Sequence, residues 1–326
     1  MSSTEIHNVV SAVTYAQEYD HGVIAVDAAM LRPRMVSAYI VKCGEKAVII
    51  ETGTQHSVPH ILTVLARHEI PPEQVAYIMP THVHLDHAGG AGELMQHCAN
   101  AELLVHERGL RHLIDPSRLE QSARRVYGDE IFDRLYGAVI PAPAERSRAV
   151  QNGEVLVLNG RRFEFLDTPG HAKHHYCVWD ESSKGWFTGD TFGLSYRELD
   201  TERGPFIFPT TTPIQFDPEA MSQSVKTMLA RSPEWMYLTH YGRVGQVAYL
   251  GERLLSGINQ LVAMAEQVAE DDDRDQSLRR LIRNWLRCEL NEHGWVGDNH
   301  QWRLLLEPDI DLNAQGLLHW LSQRES

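Results

Sequence analysis

Three histidines and one aspartate fall within six residues, His82-Val83-His84-Leu85-Asp86-His87. Neutral imidazole is the commonest metal-binding side chain, and carboxylate joins it on zinc, iron or manganese. On an extended segment, side chains two apart point the same way, so His82 and His84 can share one ion. Asp86 and His87 follow where the chain turns and can face a second ion. The chemistry open to such a cluster is that of bound divalent cations.

The flanking sequence supplies elements to position these groups. Val75-Ala76-Tyr77-Ile78-Met79 is a short apolar run that reads as a buried strand. Ala88-Gly89-Gly90-Ala91-Gly92-Glu93-Leu94-Met95 reads as a loop leading into a helix. The cluster therefore lies at the C-terminal end of a strand, where α/β proteins place their sites. Upstream, Val23–Val26, Val36–Val41 and Ala47–Ile50 read as consecutive strands, with Cys43-Gly44-Glu45-Lys46 a hairpin turn between the last two. Apolar residues at Val58, Ile61, Leu62, Leu65 and Ala66 have helical spacing, and Pro71-Pro72 stops that helix.

The stretch resembles the His-x-His-x-Asp-His signature of the metallo-β-lactamase superfamily. Further resemblances follow in chain order. Asp167-Thr168-Pro169-Gly170-His171 is similar to the family turn that carries a third histidine, and Pro and Gly shape such a turn. Trp186-Phe187-Thr188-Gly189-Asp190-Thr191, a strand ending in Gly-Asp, resembles the segment of the metal-bridging aspartate. Trp235-Met236-Tyr237-Leu238-Thr239-His240 resembles the segment of the last ligand histidine. The resemblance spans roughly residues 20–245 and implies an α/β fold, an αβ/βα four-layer sandwich. It implies that His82, His84 and His171 bind one metal, that Asp86, His87 and His240 bind the other, and that Asp190 bridges them. Glu51-Thr52-Gly53 stands where the family usually has Asp-x-Gly, whose carboxylate supports the metals from behind, so Glu51 departs by one methylene. His175 matches a position that is often histidine in hydrolytic members. For it and for His174, a supporting or core role is expected ahead of ligation.

The remaining chain reads as follows. His106, after the run Leu103–Val105, is expected to be structural. Gly109 to Gly137 looks helical and Arg-rich, a candidate pocket wall. Val155–Leu158 and Phe163–Leu166 flank Asn159-Gly160, a hairpin signal. Phe192 to Asp217 is a long aromatic segment, read as a lid or pocket wall near the ions or as a dimer contact. Asp217 is a candidate N-cap for a helix over 218–230. Helices are expected over 250–270 and 276–292, with a short last one over 314–321. The division expected is a catalytic domain over 1–245 and a helical extension over 246–326 packed on it.

With 326 residues, 43% of them hydrophobic and 23% charged, the composition is that of an ordinary globular protein. The formal net charge of −14 disfavours a nucleic-acid backbone as the main ligand. Met1-Ser2-Ser3-Thr4-Glu5-Ile6-His7 lacks the pattern of a secretory signal, and no apolar window spans a bilayer. The scattered cysteines Cys43, Cys98, Cys177 and Cys288 form no C-x-x-C pair and read as reduced thiols. A cytoplasmic address follows as an expectation. The partner expected is a small-molecule substrate, with neither nucleic acid nor membrane, and a homodimer is left open.

The function this implies is a hydrolase with two divalent ions, zinc first and iron or manganese as alternatives. Hydroxide held by the dinuclear site would attack a small ester, thioester or lactone. Asp86 and Asp190 are the expected catalytic carboxylates, Asp86 orienting the nucleophile. Tyr241 is either an oxyanion donor or packing. Asp190 disfavours the lactamases that use a cysteine ligand there. Glyoxalase II-like thioesterases and lactonases fit the ligand set, although no glutathione-binding basic residues can be matched in the tail. Ala172-Lys173-His174-His175 and Thr210-Thr211-Thr212-Pro213 suggest an uncharacterised subgroup. The alternatives are a mononuclear iron enzyme similar to persulfide dioxygenases, built on His82, His84 and His171, a phosphodiesterase of the same fold, and a metal-holding protein without turnover.

Overall fold

The computed structural model describes residues 15–211 and 214–324. The N-terminal segment read above, and Thr212 and Pro213, lie outside the described residues.

Thirteen strands among the described residues form two sheets. The first contains β1 (Ala16–Tyr19), β2 (Val23–Asp27), β3 (Ser37–Cys43), β4 (Lys46–Ile50), β5 (Val75–Met79), β6 (Glu102–His106) and β7 (Ser147–Val150), side by side in chain order. β1 to β4 pair antiparallel, whereas β4 to β7 pair parallel. The second contains β8 (Val155–Leu158), β9 (Arg161–Asp167), β10 (Tyr176–Asp180), β11 (Gly185–Phe187), β12 (Trp235–Leu238) and β13 (Gly242–Val244). Only β11 and β12 pair parallel there.

Alternation along the strands builds the layers. In β2, Val23 and Ala25 face the second sheet and meet Phe163, Phe165, Tyr176 and Tyr237. Ile24 and Val26 face outward, with Ile61, Val64 and Leu65 of α1 (Val58–Arg67) and Leu94 and Met95 of α3 (Ala91–His97). The outer face of the second sheet, with Trp186, Met236 and Leu238, is covered by α7 (Pro218–Leu229) and α8 (Val247–Gln267). The arrangement is an αβ/βα sandwich with sheets covered on their outer faces, which is why β2 to β4 read as nearly continuous apolar runs.

Local signals behave as their chemistry requires. Asn159 and Gly160 take positive φ, 49° and 85°, in the two-residue turn joining β8 to β9. Gly44 does the same between β3 and β4. Asp217 caps α7 by accepting from Ala220 N–H at 3.0 Å, and Pro218 begins the helix.

The short last helix is corrected, and other expectations gain detail. The turn that carries Asp86 and His87 is helical, α2 (Leu85–Ala88), and Gly89-Gly90 then lead into α3. Residues 109–137 form three helices, α4 (Leu110–Ile114), α5 (Ser117–Tyr127) and α6 (Asp129–Tyr136), broken near Pro116 and at Gly128, which has φ 77°. The last helix is long, α10 (Asn299–Arg324), and runs through Pro308. Its buried Trp302, Leu306, Ile310, Ala314 and Leu317 pack at helical spacing against α8 and α9 (Arg274–His293), and tertiary burial overrides the proline. The aromatics of the 192–217 segment point inward, Phe192, Tyr196, Phe206, Phe208 and Phe216 all joining the core shared with α8 to α10, while its backbone borders the candidate centre, Ser195 N–H donating to His240 O and Thr210 hydrogen-bonding His171. They are not available for contact with a second subunit.

Candidate metal centre

The parallel neighbours β4 and β5, and β11 and β12, direct their C-terminal ends to one rim of the sandwich. Glu51 follows β4, and His82 and His84 follow β5. Asp86 and His87 ride on α2, and His171 lies in the turn after β9. Asp190 follows β11, and His240 follows β12. Residues up to 189 positions apart thereby meet at one place.

Their candidate ligand atoms form two separate sets, His82, His84 and His171 and Asp86, His87 and His240, with a third group, His82, His87 and Asp190, lying between them. His82 Nε2 lies 2.7 Å from His84 Nδ1, which lies 3.2 Å from His171 Nε2. On the other side, Asp86 Oδ2 is 3.5 Å from His87 Nε2 and 3.4 Å from His240 Nε2. Asp190 divides its carboxylate between them. Oδ2 is 3.3 Å from His171 Nε2, whereas Oδ1 is 3.3 Å from His87 Nε2 and 3.5 Å from His240 Nε2. Donors about 2.0–2.1 Å from one tetrahedral cation lie about 3.3 Å from each other, close to most of these separations.

The groups behind each ring fix which nitrogen it turns to the others. Glu51 Oε1 lies 3.0 Å from His87 Nδ1, so that nitrogen carries a proton and Nε2 is turned to the other candidate ligand atoms. Met35 O faces His240 Nδ1 at 3.0 Å, with the same result. Thr81 donates its hydroxyl to Glu51 Oε1 at 2.6 Å, so at 3.1 Å it accepts from His82 Nδ1. His171 is hydrogen-bonded to the Thr210 backbone. Ring nitrogens and carboxylate oxygens thus converge, and the carboxylates favour a positive charge at this spot: Asp190, Asp86 and Glu51 draw the His87 imidazole up, and Asp190 and Asp86 that of His240, against the burial that opposes it. His87 Nε2 and Asp190 Oδ1 are buried and lack any hydrogen-bond partner. The donor set suits borderline divalent cations, and one in each set would satisfy both orphaned atoms.

Charge acts in the same direction. Burial pushes the Asp190 carboxyl up, but the imidazoles of His87, His171 and His240 more than offset it and hold it well below the carboxylate range. Asp86 behaves alike: burial opposes ionisation, and His87 and His240 outweigh it. Burial and neighbouring imidazoles hold His82 and His84 neutral, the state in which histidine ligates.

The carboxylate of Glu51 is the main support behind the ligands. It also accepts from Thr81 N–H at 3.0 Å and from Thr239 Oγ1 at 3.0 Å. Thr81 and Thr239 were not singled out in the sequence, yet each immediately precedes a ligand histidine. The repeated Thr-His doublet at 81–82 and 239–240 was the available signal. His106 pairs with Asp167 at 3.0 Å and belongs to neither set. His174 is buried, its ring centroid 5.6 Å from that of His84, without a ligating position. The charges bearing on the Tyr241 hydroxyl are Asp27, Tyr15, Tyr19 and Arg34, none of them a ligand.

The fold just described has known relatives. Residues 31–240 match the family model of the metallo-beta-lactamase superfamily. A metallo-beta-lactamase fold-containing protein of Sulfurisphaera tokodaii is 29% identical over 217 residues, 65% of this chain and 75% of that protein. The crystal structure of an archaeal metallo-beta-lactamase superfamily protein from Sulfolobus tokodaii superposes with a TM-score of 0.64 at 25% identity, covering 94% of this chain and 99% of that one. An atrochrysone carboxyl ACP thioesterase of Aspergillus chevalieri is 26% identical over 156 residues, 47% of this chain and 39% of that enzyme. The chain therefore spans well under half of that thioesterase. Among the described residues, no helix is long and apolar enough to cross a membrane.

Proposed function

The chain belongs to the metallo-β-lactamase superfamily, and from that membership we propose that it is a metal-dependent hydrolase that opens a small ester, thioester or lactone at a dinuclear His/Asp centre. The observation that carries this reading is the divided carboxylate of Asp190, with one oxygen turned to each ligand set and Oδ1 buried without a partner. We assign His82, His84 and His171 to one divalent ion, Asp86, His87 and His240 to the other, and Asp190 to both. Zinc is the first candidate, and iron and manganese accept the same donors.

When bound, such ions supply a water acidified towards neutral pH and a Lewis acid for the oxygen that gains charge as a carbonyl is attacked. The chain's own residues do the rest. Asp86, whose side chain is about a quarter exposed, keeps Oδ2 on His87 and His240. Its other oxygen orients the attacking water, takes its proton and passes it to the leaving oxygen or sulfur. Asp190, buried among imidazoles, stays ionised throughout. The thioesterase relative favours thioesters within the class. A mononuclear iron oxygenase would need only His82, His84 and His171, whereas Asp86, His87 and His240 also converge, their ligand atoms within 4.8 Å of one another.

The test is turnover by metal-loaded protein of a panel of glutathione and pantetheine thioesters, lactones and aryl esters, with Asp190→Ala as control. Saturable hydrolysis lost in the control is expected. A protein loaded with two ions that turns over none of the panel overturns the reading.

A further inference from the structure

Asp190 must present one oxygen to each ligand set, and something must hold its backbone in the orientation that does so. It follows Gly189, which has φ 49° in the turn after β11. A Cβ on Gly189 would lie 2.4 Å from His175 Nε2 and 2.4 Å from Thr81 Oγ1, so this turn is seated directly on both side chains. Asp190 N–H donates to His175 Nε2 at 3.2 Å. A ring nitrogen that accepts is unprotonated, so the proton of this imidazole is on Nδ1.

Two hydroxyls receive that proton. Nδ1 lies 2.9 Å from Thr168 Oγ1 and 3.2 Å from Thr191 Oγ1. Thr191 in turn donates to Thr168 O at 3.4 Å, leaving its oxygen free to accept. His175 is fully buried and stacks on His82, with ring centroids 4.8 Å apart. Its only nitrogen near the ligands is already occupied by a peptide N–H, and it belongs to neither ligand set.

We propose that His175 is a positioning residue: through the Asp190 amide it sets the orientation in which that carboxylate spans the two ligand sets. The assignment rests on the reading of Asp190 as a bridge. Removing the acceptor leaves a buried N–H without a partner and frees the turn to rotate, which turns one carboxylate oxygen away from its set.

Two substitutions separate the acceptor from the bulk. In His175→Gln the side-chain oxygen occupies the place of Nε2, the same number of bonds from Cβ. In His175→Asn the oxygen reaches only the place of Nδ1. Chelator competition with zinc should show near wild-type affinity for both ions in His175→Gln. In His175→Asn, one ion should be weakened on the order of 10- to 100-fold, as for other partners behind a metal ligand. Equal affinity in His175→Asn and wild type overturns the proposal, as does an equal loss in the two variants. Nitrogen NMR of the wild-type protein provides a measurement that needs no variant. It should show His175 as the neutral Nδ1–H tautomer with and without zinc, and an Nε2–H tautomer or a metal-coordinated Nε2 overturns the proposal. Turnover is a separate readout. The variant pattern without hydrolysis strikes only the hydrolase reading, whereas hydrolysis with unchanged affinities strikes only the role of His175.

Discussion

Glu51 Oε1 stands 3.0 Å from His87 Nδ1, 36 residues away in sequence, and the same oxygen receives the hydroxyls of Thr81 and Thr239. One carboxylate therefore steadies the residues that follow β5 and β12 and places a proton on the far nitrogen of His87. It does so from a left-handed backbone, with φ 63° at a non-glycine residue.

Glu51→Gln should weaken metal binding about 10- to 100-fold, because an amide cannot accept from the imidazole and both threonines with a carboxylate's charge. Glu51→Asp, one methylene shorter, should fall between. Chelator competition measures both, and wild-type affinity in Glu51→Gln would refute the role.

Zinc held at the proposed centre should raise the melting temperature, by an amount corresponding to about 4 kcal/mol at a thousandfold excess over Kd. Asp190→Ala removes a donor from both sets. It should hold fewer ions per chain, gain less from zinc and lose most turnover. Metal analysis after dialysis checks this, and full occupancy with an unchanged rate contradicts the ligand assignment.

Asp309 of α10 accepts from the Tyr196 hydroxyl at 3.2 Å. Burial drives its carboxyl up to about 6, against the opposing pull of His240, Tyr196 and Arg32. A raised folded-state value means that the bound proton stabilises the fold. That contribution is complete below the ordinary value of 3.8 and is lost as pH rises through about 6. A shift of this size corresponds to a ceiling of about 3 kcal/mol. Asp309→Asn keeps the acceptor and removes the titration, so its stability should gain on wild type between pH 4 and 7. Denaturant melts across that range should show a widening difference, and a constant one rejects the prediction.

Gly170 precedes a ligand, has φ 132°, and would place a Cβ 2.3 Å from the backbone N and Cα of Met221 at the start of α7. Gly170→Ala should cost about 2–4 kcal/mol by overpacking and strain, and should loosen metal binding through His171. Melting and zinc titration would report both. An alanine variant as stable as wild type would contradict the packing described.

What the sequence by itself determined is what local chemistry carries. The His82 to His87 cluster announces metal ligation through residue type and spacing. Asn159-Gly160 demands a tight hairpin, and Asp217-Pro218 starts a helix. The resemblance then pointed to His171, Asp190 and His240 as partners of that cluster, and the fold brings all seven residues together. Tertiary structure alone decided the rest, because it depends on residues distant in the chain. Glu51, Thr81 and Thr239 meet on one oxygen only when β4, β5 and β12 end at one rim. The proton positions of His82, His87 and His240 are set by those neighbours and by Met35 O, and no local pattern encodes them. The aromatics of 192–217 read as a lid until α8 to α10 supply the core they fill, and α10 persists through Pro308 because its apolar face is buried. Spacing along the chain identifies which groups can ligate, whereas packing decides which lone pairs face one another and which carboxylate holds them there.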